Sequence, residues 1–183
     1  MIGCRHILTK DGQKMVLTKD ELIAAFQKEV RIFVHLIGKV DPAKIDYRPA
    51  AKQRSVLELV QYMTVMAPAM TESIKGGEFT REAMGAIWGP RDAASKAMNW
   101  EQAVAAIGRQ SDELTRYIGA WTDADFRSDI NMFGQDTTRG AALVNMVLCG
   151  YAAYRMQLFL YLKAMGREEL NTMNLWGGYD GQM

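Results

Sequence analysis

An all-α four-helix bundle with long crossover connections is the fold class that the sequence predicts, on three observations. Only 4 of its 183 residues are proline while 13 are methionine. That balance favours unbroken helices, because proline removes a helical donor whereas methionine forms helix well and packs adaptably. Capping residues recur just ahead of long stretches whose apolar residues lie three and four apart. Two of the intervening connections are long; antiparallel neighbours need only short loops, so some successive helices are expected to run parallel. The length predicts one domain over 1–183, with an N-terminal arm at 1–17 and a C-terminal tail at 167–183.

Within the arm, Ile7 to Leu17 reads as two short β-prone pieces around Lys10-Asp11-Gly12-Gln13, and Asp-Gly favours a tight turn, so a small N-terminal hairpin is expected. Thr18 with Glu21 forms a capping box that opens a helix to about Val40. Leu22, Phe26, Val30, Phe33 and Ile37 share its apolar face, with Lys28, Arg31, His35 and Lys39 opposite. Asp41-Pro42 ends it. Ser55 with Glu58 opens a second helix to about Lys75, in which Pro68 is expected to place a kink. Gly76 to Met98 reads as a long connection, part of it a short helix. Asn99 caps a third long helix carrying Trp100, Val104, Ile107, Leu114 and Ile118. A second long connection follows Trp121, and Thr138 begins the most apolar helix, which stops near Met165-Gly166.

Charge excludes several classes of function. Lys plus Arg total 22 against 21 Asp plus Glu, with neither sign in blocks, so no footprint for nucleic acid is present. Ala141 to Leu162 has the length of a membrane span. Arg155 near its centre would cost about 2.5–3.5 kcal/mol on insertion, and a core helix explains the run without that cost. Cys4 and Cys149 make no disulfide framework, and Met1 to Asp11 lacks the apolar core of a signal peptide, so a cytoplasmic protein is expected.

The chemistry is informative by what is scarce. His6 and His35 form no metal-binding pair on one helix, and His35, opposite the apolar face, reads as a solvated surface residue. Cys149, among Leu148, Gly150 and Tyr151, reads as a buried, inert thiol. No phosphate-binding loop occurs, and Asp123, Asp125, Asp129 and Asp136 miss the calcium-loop spacing. On the last helix Gly150, Tyr154, Gln157 and Tyr161 fall at i, i+4, i+7 and i+11, so they share one side at the apolar face. Two readings are open for that stripe: polar groups satisfied inside the core, or one wall of a pocket.

Tyr47-Arg48-Pro49 followed by Ser55-Val-Leu-Glu58-Leu-Val-Gln-Tyr62 resembles the second-helix signature of the DinB/YfiT-like superfamily, where a Ser-capped helix carries a histidine seven residues after the serine. The run from Gly150 through Tyr154-Arg155-Met-Gln157-Leu to Tyr161-Leu-Lys and Gly166 is similar to that family's H-x-x-x-H-R-x-Q-L segment, and Asn174-Leu175-Trp176-Gly177-Gly178 is similar to a tail found in some members. The resemblance spans about Thr18 to Gly178. It implies a four-helix bundle with crossover connections, commonly a homodimer, often holding a divalent metal through three histidines, and in some members a thiol-dependent transferase or isomerase. Here those ligand positions are Tyr62, Gly150 and Tyr154. Glycine offers no ligand, and neutral tyrosine, with a pKa near 10, is a poor one. The expectation is therefore a protein without metal or cofactor that binds a small molecule at a pocket edged by Tyr62, Gly150, Tyr154, Gln157 and Tyr161. The alternatives are a thiol-dependent transferase-like or hydrolytic enzyme using a tyrosine as acid, and a non-catalytic, dimer-forming module. A tyrosine acid would need a pKa well below 10.

Overall fold

A computed structural model describes residues 17–181; the expected N-terminal hairpin and Cys4 lie outside them. α1 (Lys19–Ile37) starts where its capping box dictates: the Glu21 amide donates to Thr18 Oγ1 (3.2 Å) and the Thr18 amide to Glu21 Oε2 (2.8 Å). Its five predicted core residues are all buried. α2 (Val56–Gly76) opens on the reciprocal bonds of Ser55 and Glu58 and continues through Pro68. α4 (Trp100–Gly119) opens on Asn99 and Gln102; Ile107, Leu114 and Ile118 are buried, while Trp100 and Val104 are half-buried at its edge. α6 (Arg139–Ala164) is continuous, widened to π-type hydrogen bonding over Leu143–Leu148.

Hydrogen bonds between the elements fix the directions. Lys19 Nζ donates to the Gly119 and Trp121 carbonyls, so α1 runs against α4. The Tyr161 hydroxyl donates to the Arg54 carbonyl (3.0 Å), which sets the end of α6 beside the start of α2. Lys44 Nζ reaches the Met165 carbonyl, so α1 and α6 end together and run parallel. Buried Gln110 donates to the carbonyls of Met63 (2.9 Å) and Thr64 (3.1 Å), and Gln61 to that of Met98 (2.7 Å), tying α2 and α4 side by side in the same direction. Each amide satisfies a carbonyl that would otherwise be lost from water between packed helices.

The connection that makes α2 and α4 parallel is itself helical. α3 (Arg81–Lys96), 16 residues capped by Thr80, packs on the outside of α2. The sequence predicts only a short helix here because the exposed side of α3 is largely glycine, alanine and proline, among them Gly85, Ala86, Gly89, Pro90, Ala93 and Ala94. Ser95 alone is buried, so neither a polar nor an apolar face shows a clear period. The second connection holds α5 (Asp123–Arg127) and a hairpin, β1 (Asp129–Met132) antiparallel to β2 (Gln135–Thr138), with Met132 opposite Gln135. Its two turn residues, Phe133 and Gly134, have φ of 54° and 87°, as a type I′ turn requires. A phenylalanine at the first turn position hides the usual Asn-Gly signal.

Two expectations are corrected. His35 is not a solvated surface residue: the tail folds back over α1, Asn174 Nδ2 lies 3.1 Å from His35 Nε2, and burial together with the Lys39 charge lowers the imidazole pKa. Cys149 is exposed rather than buried. It sits two positions from both Val147 and Tyr151, which are buried, and two positions on a helix is 200° of rotation. The tail lies close to α1 because Gly178 adopts φ of 68°, where a Cβ would stand 3.0 Å from the Ile32 Cα. α6 is long and apolar enough to cross a membrane by length and composition; it packs on α1 and α2.

Candidate functional site

Because α6 runs against α2, the predicted stripe meets α2 as a ladder. Tyr154 faces Tyr62, the rings edge to face with centroids 5.1 Å apart. One turn along, Gly150 faces Met66: a Cβ at Gly150 would lie 3.0 Å from Met66 Cε and 3.1 Å from its sulfur. In the other direction Gln157 Nε2 donates to the Tyr161 hydroxyl (2.6 Å), which donates onward to the Arg54 carbonyl, while the Tyr161 ring stands edge-on to Tyr47 at 5.9 Å. The structure thus brings Tyr62 and Tyr154 together. The space left by Gly150 is occupied by Met66, and Gln157 and Tyr161 tie the helix ends.

The outer end of this seam opens on a cavity of about 470 Å³ lined by Arg54, Glu58, Gln61, Tyr62, Asp92, Ser95 and Lys96. Of the five predicted residues, Tyr62 is the one on its wall. Sequence reasoning missed Arg54, whose guanidinium carbon sits 3.9 Å from the centroid of the Tyr62 ring, and missed the α3 wall of Asp92, Ser95 and Lys96. No sequence signal marks Arg54, since its meaning depends on the Tyr62 ring eight positions on. α3 locks to α2 here through the Ser95 hydroxyl, which donates to the Gln61 carbonyl (2.6 Å). Volumes of roughly 300–1,000 Å³ suit small ligands.

Burial, reinforced by the neighbouring Tyr154 hydroxyl and opposed by Arg54, pushes the Tyr62 phenol up to about 12. That direction keeps Tyr62 a neutral hydrogen-bonding group at neutral pH, the opposite of what proton transfer there asks of a tyrosine. Tyr151, on the other side of α6, is fully buried against Phe33 and donates to Gln110; burial raises its phenol further still. Among the described residues no three His, Cys, Asp or Glu side chains are grouped so as to hold a metal ion. A second, larger cavity of about 630 Å³ lies at the far end of the bundle, between the start of α1, α5 and the start of α6, with Leu22, Phe126 and Val144 on its walls. None of the predicted site residues reaches it.

No protein-family model and no curated protein matches the chain. Among solved structures it is similar to a DinB-like protein from Bacillus subtilis, YjoA, at 19% identity and a TM-score of 0.62, over 82% of this chain and 95% of that one. The architecture and that likeness agree: the chain has the fold of a DinB-like, all-α helical bundle.

Proposed function

We propose that the protein is a DinB-like bundle whose metal-ligand positions have been given over to Tyr62, Gly150 and Tyr154, and that it binds a small molecule where Tyr62 meets the cavity between α2 and α3. The observation that carries this reading is the fate of the three positions. Two are phenols packed ring to ring, and the third is a glycine whose missing side chain is replaced by Met66, so no set of metal-ligating side chains converges there. The cavity adjoining Tyr62 offers one aromatic face and several converging polar groups, of the kind that orient a bound small molecule. An activity with tyrosine as acid is the weaker reading, given the upward shift of Tyr62.

The same reading takes the protein as cytoplasmic and as a homodimer. Supporting self-association, the outer face of α6 carries Cys149, Met156 and Leu160 without a charged side chain among them, because Arg155 and Lys163 both turn toward the protein. The test is metal analysis of protein purified without metal-affinity steps, with a thermal-shift panel of thiols, aromatic acids and neutral aromatics. Less than a tenth of an equivalent of any transition metal, and stabilisation by panel compounds that Tyr62→Ala removes, is the expected result. Stoichiometric metal would overturn the metal-free reading, and light scattering at the 20.5 kDa monomer mass would overturn the dimer.

A further inference from the structure

The wall of the Tyr62 cavity is not electrically balanced residue by residue. Of its two carboxylates, Glu58 is paired with Arg48 (3.1 Å) and Asp92 with Lys96 (2.6 Å). Arg54 has no described carboxylate within ion-pair distance, its charge reaching Glu58 only from farther off and helping to lower that carboxyl's pKa, and its guanidinium rests on the Tyr62 ring. Stacking uses a face of the guanidinium and leaves its N–H edge available, and that edge is the fork that matches a carboxylate with two parallel hydrogen bonds. The root of the side chain is held as well. The Arg54 carbonyl accepts from Tyr161, and the next residue, Ser55, is the buried N-cap of α2. A cation fixed at both ends loses little freedom on binding an anion.

We propose that this site takes a small monocarboxylate, with Arg54 as the fork that receives the carboxylate and the Tyr62 side of the cavity covering the ligand's apolar body. The inference rests on the binding reading above and deepens it by naming the ligand class. A single negative charge is specified because Glu58 and Asp92 stand in the same wall, so a second anionic group on the ligand meets like charge rather than a free cation. Lys96, already paired, adds a weaker attraction at the rim.

Phenylacetate and its neutral isostere phenylacetamide separate the possibilities by calorimetry at about pH 8.5, where phenylphosphonate serves as the dianionic comparison because its second proton is lost near neutrality. Wild-type protein should bind phenylacetate at least about tenfold more tightly than either of the others. Arg54→Met, which keeps an apolar chain over the ring at an exposed position, should lose that tenfold preference and leave phenylacetamide unchanged; Arg54→Lys should retain only part of it. A thermal melt verifies that the variants are folded. Equal binding of acid and amide, both lost in Tyr62→Ala, would overturn the carboxylate assignment while leaving the cavity as a binding site. Tighter binding of phenylphosphonate would overturn the single-charge claim. If no probe, and no neutral aromatic of the wider panel, binds at millimolar concentration, the binding reading itself fails and this inference with it.

Discussion

Tyr154 and Arg155 are neighbours on α6 and point to two regions built on opposite logic. Arg155 turns toward α1 and the tail, where it is buried: its Nε lies 3.1 Å from Glu29 Oε2, a terminal nitrogen donates to the Leu175 carbonyl (2.5 Å), and its guanidinium lies 4.6 Å from the centre of the Trp176 ring. Every group it attracts belongs to the chain. Tyr154 turns toward α2, where the polar groups run from Tyr62 to Arg54 and end at an open cavity wall with the guanidinium unpaired. The same ingredients, an arginine laid on an aromatic ring, close one region and leave the other with an unused donor edge. A cation that completes an internal network is part of the fold; one that is held but unpaired is available to something else.

Breaking the closed region should have the largest effect. Arg155→Met removes one member of a buried pair and leaves Glu29 without its cation, a loss of about 3–5 kcal/mol on the usual scale for half of such a pair. Replacing both, Arg155→Met with Glu29→Met, should recover most of it, since two apolar side chains of similar length carry no stranded charge. Urea unfolding of wild type and the two variants measures this, and the part of the tryptophan emission that Trp176→Phe removes follows the tail. The sign of the pH dependence is fixed by Glu29: burial already raises its pKa, with Arg155 opposing. Without Arg155 the folded pKa rises further, so the deficit of Arg155→Met should be smallest at low pH and grow as pH rises through that folded pKa. A deficit independent of pH would mean that Glu29 is solvated in the variant.

The open region is tested by titrating Tyr62. Its phenol is pushed up to about 12 while an unfolded tyrosine ionises near 10. The folded state therefore keeps a proton that the unfolded state releases. The contribution is fully present below pH 10 and is lost as pH rises through the folded value. Phenolate absorbance, taken as the difference between wild type and Tyr62→Phe to set aside Tyr151 and Tyr117, should show one tyrosine ionising near pH 12. Arg54→Met should move it higher, because the guanidinium favours the phenolate. A Tyr62 that titrates near 10 would place it in solvent and weaken the case for an enclosed wall.

How much of this was legible beforehand follows from what each feature depends on. The starts of α1, α2 and α4 were readable because a capping box is local: Thr18 and Glu21, Ser55 and Glu58, and Asn99 satisfy amides within three residues, whereas α1, expected to reach about Val40, stops at Ile37. The last-helix stripe was readable because Gly150, Tyr154, Gln157 and Tyr161 share one face whatever they meet. What they meet was not. Met66 filling the Gly150 gap and Arg54 covering Tyr62 both arise from the helix pairing, and α3 stayed hidden because a helix packed on the outside of a bundle carries little apolar period. His35 was not readable, because a helical projection does not say which far face a tail will cover. Cys149 was, because the same projection turns it 200° from buried Val147 and Tyr151, and only its apolar sequence neighbours argued for burial.

The seam where the open region meets the closed one should respond least. Gly150 and Gly108 are both interior to helices, and alanine in place of a mid-helix glycine gains about 1 kcal/mol when nothing interferes. At Gly108, on the exposed side of α4, a Cβ would meet nothing within 4 Å, so Gly108→Ala should show the whole gain. At Gly150 the same Cβ would come within 3.0 Å of the methyl end of Met66. That neighbour is the tip of an unbranched, rotatable side chain, so it can yield by a few tenths of an ångström at small cost. Gly150→Ala should therefore stabilise the protein too, but by less than Gly108→Ala, and the shortfall measures how firmly Met66 is seated. Combining Gly150→Ala with Met66→Ala should abolish the crowding and expose the cavity cost of the lost thioether instead. Equal gains at the two glycines in chemical denaturation would mean that the seam is loose at Gly150 and that open volume continues from the Tyr62 cavity along α6.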